Sequence, residues 1–196
     1  MSPRVTALRP ERRGRIAVEL DGERWRTVPV DVAATAGLVV GRELDRPALR
    51  ELRRALRRSE ALASATNALR HRDVSSQRLA QRLEAAAVAP AALADALEVL
   101  TRAGVVDDER FAERRAEALA ERGFGDEAIR HDLERQGVPA DLRGRAVATL
   151  ADEAVRARAI VARRGPGPKT ARYLAAKGFG EDALEAALDG SVADDT

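Results

Sequence analysis

The sequence predicts a mainly α-helical protein: three tandem three-helix repeats behind a small strand-rich N-terminal extension. Three observations predict it. First, one helical segment occurs three times: HRDVSSQRLAQRLEAAAV (His71 to Val88), ERGFGDEAIRHDLERQGV (Glu121 to Val138) and RRGPGPKTARYLAAKGF (Arg163 to Phe179). Its columns align Arg72, Arg122 and Arg164, then Ser75, Gly125 and Gly167, then Leu83, Leu133 and Leu174. A chain that repeats a helical unit usually builds an extended surface rather than a closed pocket. Second, 45% of the 196 residues are hydrophobic, mostly Ala, Leu and Val, 34% are charged and only 3% aromatic, a composition of strong helix formers. Third, helical spacing is absent over residues 4–30, where Ile16, Val18 and Leu20 alternate with polar or small residues before the turn pair Asp21-Gly22.

The elements follow in order. VTALRP is one short strand, and RIAVEL-DGE-RWRTVPV is a hairpin that must pair with it or dock on helices to be stable. Trp25, the single Trp, is expected to anchor that docking. A short helix runs from Asp31 to near Gly37. A long one starts after Asp45 as N-cap, with Pro47 in its first turn and Leu49, Leu52 and Leu56 as its apolar stripe. Leu62 and Leu69 belong to a following helix or to its continuation. The extension and its basic helix fill residues 1–60, repeat 1 residues 61–106, repeat 2 residues 107–151, repeat 3 residues 152–188, and an acidic tail residues 189–196. Helices are expected at 61–72, 76–86 and 90–103, at 108–122, 126–136 and 140–150, and at 152–164, 168–177 and 181–188. Ser75, Asp107 with Asp108, and Gly167 with Pro168 supply start signals, and Gly137 and Gly178 supply stops. A three-helix unit of about 45 residues has a thin core, so neighbouring units should pack together.

Charge and composition exclude several classes of function. The net charge is +2, yet residues 1–60 hold 14 Arg against 9 acids. Of 34 basic residues only Lys169 and Lys177 are Lys. Arg suits phosphate and carboxylate recognition, although a GC-rich genome produces the same bias. The run RRALRR, Arg53 to Arg58, makes a basic face that is either solvated beside Glu partners or a contact for nucleic acid or an acidic partner. No Cys is present, which removes disulfides and thiolate metal sites and fits a reducing cytoplasm. No apolar run reaches the ~18 residues of a membrane span, and the start MSPRVTALRPERRGR has no apolar core of a secretory signal. GPGPKT, Gly165 to Thr170, resembles a phosphate-binding loop but has Pro168 before the Lys and no preceding strand, so it reads as a helix start. The acids Asp107, Asp108 and Glu109 read as helix-start charges rather than a metal site. With His71 and His131 the only histidines, nothing positions a general base, and neither a catalytic residue nor a cofactor is expected.

Residues Gly104 to Val138 resemble the central signature of the RecX regulatory proteins: Val106, Asp107, Asp108, Phe111, Ala112, then Arg122, Gly123, Gly125, and a helix ending in Gly137 and Val138. LAAKGFGEDALEAAL, Leu174 to Leu188, resembles the family's C-terminal segment, and the strand-rich start resembles an extension found in many members. The resemblance covers most of the chain, best over 61–188. It implies an elongated, curved array of repeats without catalysis that binds the groove of the RecA–DNA filament as a monomer. It further implies inhibition of the recombinase's ATPase, strand exchange and co-protease activities in recombination and the SOS response, and DNA binding. Pro166 stands where repeat 2 has Phe124, and repeat 3 is one residue shorter between its glycines.

The candidate contacts to DNA or filament are the cations taken as exposed: Arg70, Arg72, Arg114, Arg115, Arg122, Arg130, Arg156, Arg158, Arg163, Arg164, Lys169 and Arg172. No motif ranks one above another. Two other readings stand beside this one. A sequence-specific DNA-binding regulator would use Gln77, Arg78, Gln81 and Arg82, or Arg130, His131 and Arg135, as base readers. A helical scaffold for another protein needs none of them.

Overall fold

The computed structural model describes residues 2–70 and 73–189. Among them lie three strands, β1 (Val5–Glu11), β2 (Arg15–Leu20) and β3 (Glu23–Pro29). Ten helices follow: α1 (Val30–Thr35), α2 (Arg46–Leu69), α3 (Ser76–Ala85), α4 (Pro90–Arg102), α5 (Asp108–Glu121), α6 (Asp126–Arg135), α7 (Ala140–Ala148), α8 (Glu153–Arg164), α9 (Pro168–Ala176) and α10 (Glu181–Asp189). His71, Arg72 and residues 190–196, including nearly all of the acidic tail, lie outside the described residues. The chain forms two compact units, one of residues 1–72 and 80–103, the other of residues 73–79 and 104–196.

In the first unit the strands form an antiparallel meander in the order β1-β2-β3. Asp21 and Gly22 both take positive φ, 51° and 88°, the geometry a two-residue hairpin turn demands. The sheet's inner face sets Val5, Val18 and Val28 against Val32 and Ala33 of α1 and Leu52 and Leu56 of α2. Trp25 does not anchor this core. The β2–β3 register slips between Val18 and Glu19, which leaves Trp25 without a partner and turns it outward, 37% exposed beneath the Arg26 guanidinium. The segment after α1 returns along β1: Val5 N donates to Arg42 O, and Gly41 N donates to Val5 O. Helix α2 opens as its sequence predicts, Asp45 accepting from Ala48 N at 2.8 Å. It then runs unbroken for 24 residues, because no Gly or Pro interrupts it after Pro47. The first helix expected for repeat 1 is therefore the C-terminal half of α2, whose Ala61 packs on Ala92 and Ala96 of α4.

The second unit contains two helix trios. Helices α5, α6 and α7 bury Ala116, Ile129, Leu133 and Val147 in one cluster. Helices α8, α9 and α10 bury Ala157, Val161, Leu174, Phe179 and Ala187 in another. The three-fold sequence repeat has a structural meaning here: the N-terminus of a middle helix meets the C-terminus of the next middle helix. Ser75 caps α3, accepting from Arg78 N at 3.2 Å, and its hydroxyl donates to Gln136 O at the end of α6. At the aligned column, Gly125 N donates to Lys177 O at the end of α9, 2.9 Å away. Each junction also receives a carboxylate from the first residue of the following helix. Asp108 of α5 accepts from Ser76 N at 2.7 Å, and Glu153 of α8 accepts from Asp126 N at 2.6 Å. Backbone donors exposed at a helix start are thus satisfied by the neighbouring trio. Asp107, in turn, caps α5 by accepting from Arg110 N. Among the described residues no helix is long and apolar enough to cross a membrane.

Candidate functional site

The expected contact cations separate into those held by internal partners and those left to solvent. Arg115 donates Nε and Nη2 to the two carboxylate oxygens of Asp132, at 2.8 and 3.1 Å, tying α5 to α6. Arg114 pairs with Asp73 at 2.9 Å, and Arg130 lies 3.7 Å from Asp126. Arg156 is not an exposed cation. Its side chain is 13% exposed, donates to Ala151 O and Phe124 O at 2.9 Å, and pairs with Asp126. It completes the junction between the two trios rather than facing a partner.

The Arg115–Asp132 pair has a pH signature. The two hydrogen bonds from Arg115 hold the Asp132 carboxyl below the usual carboxylate range against the opposing effect of burial, and Arg135 adds to them. The Arg115 guanidinium is raised in return by the same bonds. A depressed carboxylate contributes stability above its unfolded pKa, and that stability is lost as pH falls through the folded value. Asp132→Asn should therefore cost about 1–2 kcal/mol at pH 7, discounted for the 38% exposure of Arg115. The difference from the parent should shrink as pH drops below about 4. Urea melts of both proteins at pH 7, 5 and 3 measure this, and a pH-independent difference would contradict it.

A different set of cations converges in the second unit. Arg122 caps the C-terminus of α5, Arg163 and Arg164 end α8, and Lys177 caps α9. Positive charge at these ends complements the helix dipoles. The cations alternate with rings. The Arg122 guanidinium lies 5.6 Å from the Phe124 ring centre, the Lys177 ammonium 3.9 Å from the same ring and 5.8 Å from that of Tyr173, and the Arg164 guanidinium 4.0 Å from Tyr173. Ring faces hold cations by their quadrupole without neutralising them. Arg122, Arg156, Arg163, Arg164, Tyr173 and Phe179 line an open groove of about 500 Å³, with Glu121 the one carboxylate on its wall. Among the described residues none of Arg122, Arg163, Arg164 and Lys177 pairs with a carboxylate. The arrangement offers an anion several donors that no carboxylate neutralises, held over ring faces.

Four of the expected residues, Arg122, Arg156, Arg163 and Arg164, thus meet at one place, Arg156 at its base. Arg158, Lys169 and Arg172 are exposed elsewhere in the same unit, and Arg70 ends α2 in the other. Arg72 lies outside the described residues. Lys177, Phe124 and Tyr173 were missed as site residues. The available signal was the i,i+4 spacing of Tyr173 and Lys177 on one helix face.

Comparison with known proteins bears on this unit directly. Residues 107–147, spanning α5 to nearly the end of α7, match the family model described as RecX, second three-helix domain. No curated protein matches the sequence. A crystal structure of regulatory protein RecX has a TM-score of 0.81, covering 95% of this chain and 99% of its own, at 18% identity. A crystal structure of RecX from Lactobacillus salivarius has a TM-score of 0.62, covering 68% of this chain and 96% of its own, at 15% identity. The mainly helical chain with its three-stranded start therefore has the fold seen in the RecX structures, and its residues 107–147 match the second three-helix domain of RecX.

Proposed function

We propose that this protein is a non-catalytic regulator of a RecA-type recombinase, lying on the recombinase–DNA filament and inhibiting its ATPase, strand exchange and co-protease activities. The observation that carries the reading is the cation–ring groove of Arg122, Arg163, Arg164, Tyr173 and Phe179, which begins within the segment that matches the RecX second three-helix domain. Among the described residues its Arg122, Arg163 and Arg164 have no carboxylate partner, and they suit the phosphates and carboxylates that a nucleoprotein filament presents together. Distributed contacts from an array of helices would add modestly at each point and gain by linkage. A net charge of only +2 fits such a mixed surface better than bare DNA. On this reading the protein works in the cytoplasm, on a complex and without a cofactor.

The sequence-specific DNA-binding alternative is disfavoured by the side chains it needs. Arg130 and Arg135 face Asp126 and Asp132 on their own helix, and Gln77 packs on Gly137. The test is the single-stranded-DNA-dependent ATPase of the cognate recombinase with this protein titrated in. Strong inhibition is expected well below one copy per recombinase subunit. An unchanged ATPase with the folded protein in excess sinks the reading.

A further inference from the structure

The groove of the second unit presents Arg122, Arg163 and Arg164 with a single carboxylate, Glu121, on its wall. Acids without bases follow in the same unit. Asp189 closes α10, and Asp194 and Asp195 lie in the tail that continues beyond the described residues. The packing of α10 on α8 decides where that tail starts. At one end of the pair Gly180 N donates to Glu153 Oε2 at 3.3 Å. Further along, Arg158 Nε donates to Ala186 O at 3.4 Å, and Ala187 joins Ala157 and Val161 in the buried cluster. The contacts run in the same order along both helices, so α8 and α10 point the same way. Arg163 and Arg164 end one of them and Asp189 ends the other. At ~1.5 Å per residue, α10 stops ~4.5 Å past Ala186 and α8 ~9 Å past Arg158. With packed helix axes about 8–10 Å apart, the root of the tail lies ~10 Å from the end of α8. The chain from Asp189 to Asp194 spans up to ~17 Å when extended. That is enough to cross the end of α8 and bring both aspartates to the arginines.

We propose that the acidic segment of residues 189–196 straps across the end of α8 and occupies the Arg163–Arg164 groove of its own molecule until a filament displaces it. This regulation rests on the reading of the groove as the filament contact. The charges are complementary, because carboxylates accept from guanidinium forks in pairs. The neighbouring chemistry matches as well: Val192 and Ala193 precede the two aspartates, and Ala120 and Ala159 line the groove beside its arginines. The last turn of α10 holds no base that could hold the acids nearer their root. Each exposed ion pair is weak. Tethering, however, gives the tail an effective concentration in the millimolar range, which a free acidic segment does not reach at ordinary protein concentrations. The strap makes the groove selective. An isolated anion must compete with the tail, whereas a filament presents many phosphates and carboxylates at once.

Tyr173 is the single tyrosine and lines the groove. The ring NMR signals of the full chain labelled with 13C-tyrosine therefore read this place without any recombinase. Asp194→Asn/Asp195→Asn should shift those signals at about 0.02 M salt. Raising the salt to about 0.5 M, which screens exposed charges, should move the parent's signals toward the variant's and the variant's little. In an Arg163→Gln/Arg164→Gln background the tail substitution should shift nothing. In the recombinase ATPase assay the tail variant should inhibit at about threefold to tenfold lower concentration than the parent. Glu51→Gln/Glu84→Gln removes the same charge from exposed positions in the first unit and should leave inhibition within about twofold. Identical Tyr173 signals in the parent and the tail variant overturn the proposal. A shift that persists without the two arginines overturns it in favour of another seat for the tail, and one that fades on dilution overturns it in favour of a second copy. Equal inhibition by parent and tail variant overturns the regulatory role. Because Tyr173 is read without recombinase, the strap can fail while inhibition stands, and a recombinase left uninhibited removes the filament reading while a tail-dependent Tyr173 signal keeps the strap.

Discussion

Gly178→Ala will lower the stability of the protein by about 3 kcal/mol, the sum of backbone strain and overpacking. Gly178 ends α9 with φ +77°, a conformation that L side chains rarely adopt. A methyl group there would meet the Ala128 backbone nitrogen and Cβ of α6, each at 2.6 Å. Neither is the loose end of a flexible side chain, so α6 and α9 would have to separate. That separation would break the bonds Gly125 N to Lys177 O and Glu127 N to Gly178 O. Gly125→Ala should do the same from the other side, because its Cβ would collide with the Gly178 carbonyl group and the Phe179 nitrogen. The opposite sign is expected at Gly144, inside α7 with nothing within 4 Å of an added Cβ. There alanine should stabilise by about 0.5–1 kcal/mol. Thermal melts of the three variants decide the matter. A Gly178→Ala protein melting with the parent would show that the two trios are not held by this close approach.

Those glycines show what can be read from a linear chain. Their recurrence, the caps at Asp45 and Ser75, and Pro168 in the first position of its helix are local chemistry, so the starts of α2, α3 and α9 were legible to the residue. The reason for the recurrence was not. A turn residue and a site of backbone contact look alike until the neighbouring trio is in place. Trp25 was misread for a related cause: a bulge breaks the two-residue period, and the period was the only guide to which face it takes. The candidate site was harder still. Thirty-two arginines are chemically equivalent in sequence, and what distinguishes them is the acid that folding brings near. Asp132 lies 17 residues from Arg115, and Asp126 lies 30 from Arg156. Such distances along the chain leave no periodic trace, so cations bound inside the fold could not be separated from those left outside.

The separation can be tested at the groove in the second unit. Arg163→Glu/Arg164→Glu should raise the concentration needed to inhibit the recombinase ATPase by about 30-fold or more, equivalent to ~2 kcal/mol. Both residues lie on the last turn of α8, where Arg163 holds only Ala159 O and Arg164 rests on Tyr173. Among the described residues, reversing them removes no ion pair. It does place acids at the negative end of a helix, a cost of about 0.3–1 kcal/mol per charge, which leaves the fold intact. Tyr173→Ala tests the ring separately. It deletes the surface under Arg164 and Lys177 while leaving both charges, so a milder loss is expected than from the reversal. Lys169→Glu is the control, being equally exposed on α9 but outside the groove, and should change inhibition less than about threefold. If Lys169→Glu, which changes half as much charge, costs half as much in free energy as the double reversal, net charge alone is at work and the groove has no special role. If the double reversal alone fails, and does so with parental helicity and melting temperature, the groove is where the filament is gripped. The ordered base of rings and the Arg156 bonds beneath it then explain why these cations act where the paired ones do not: they are held in place without being neutralised.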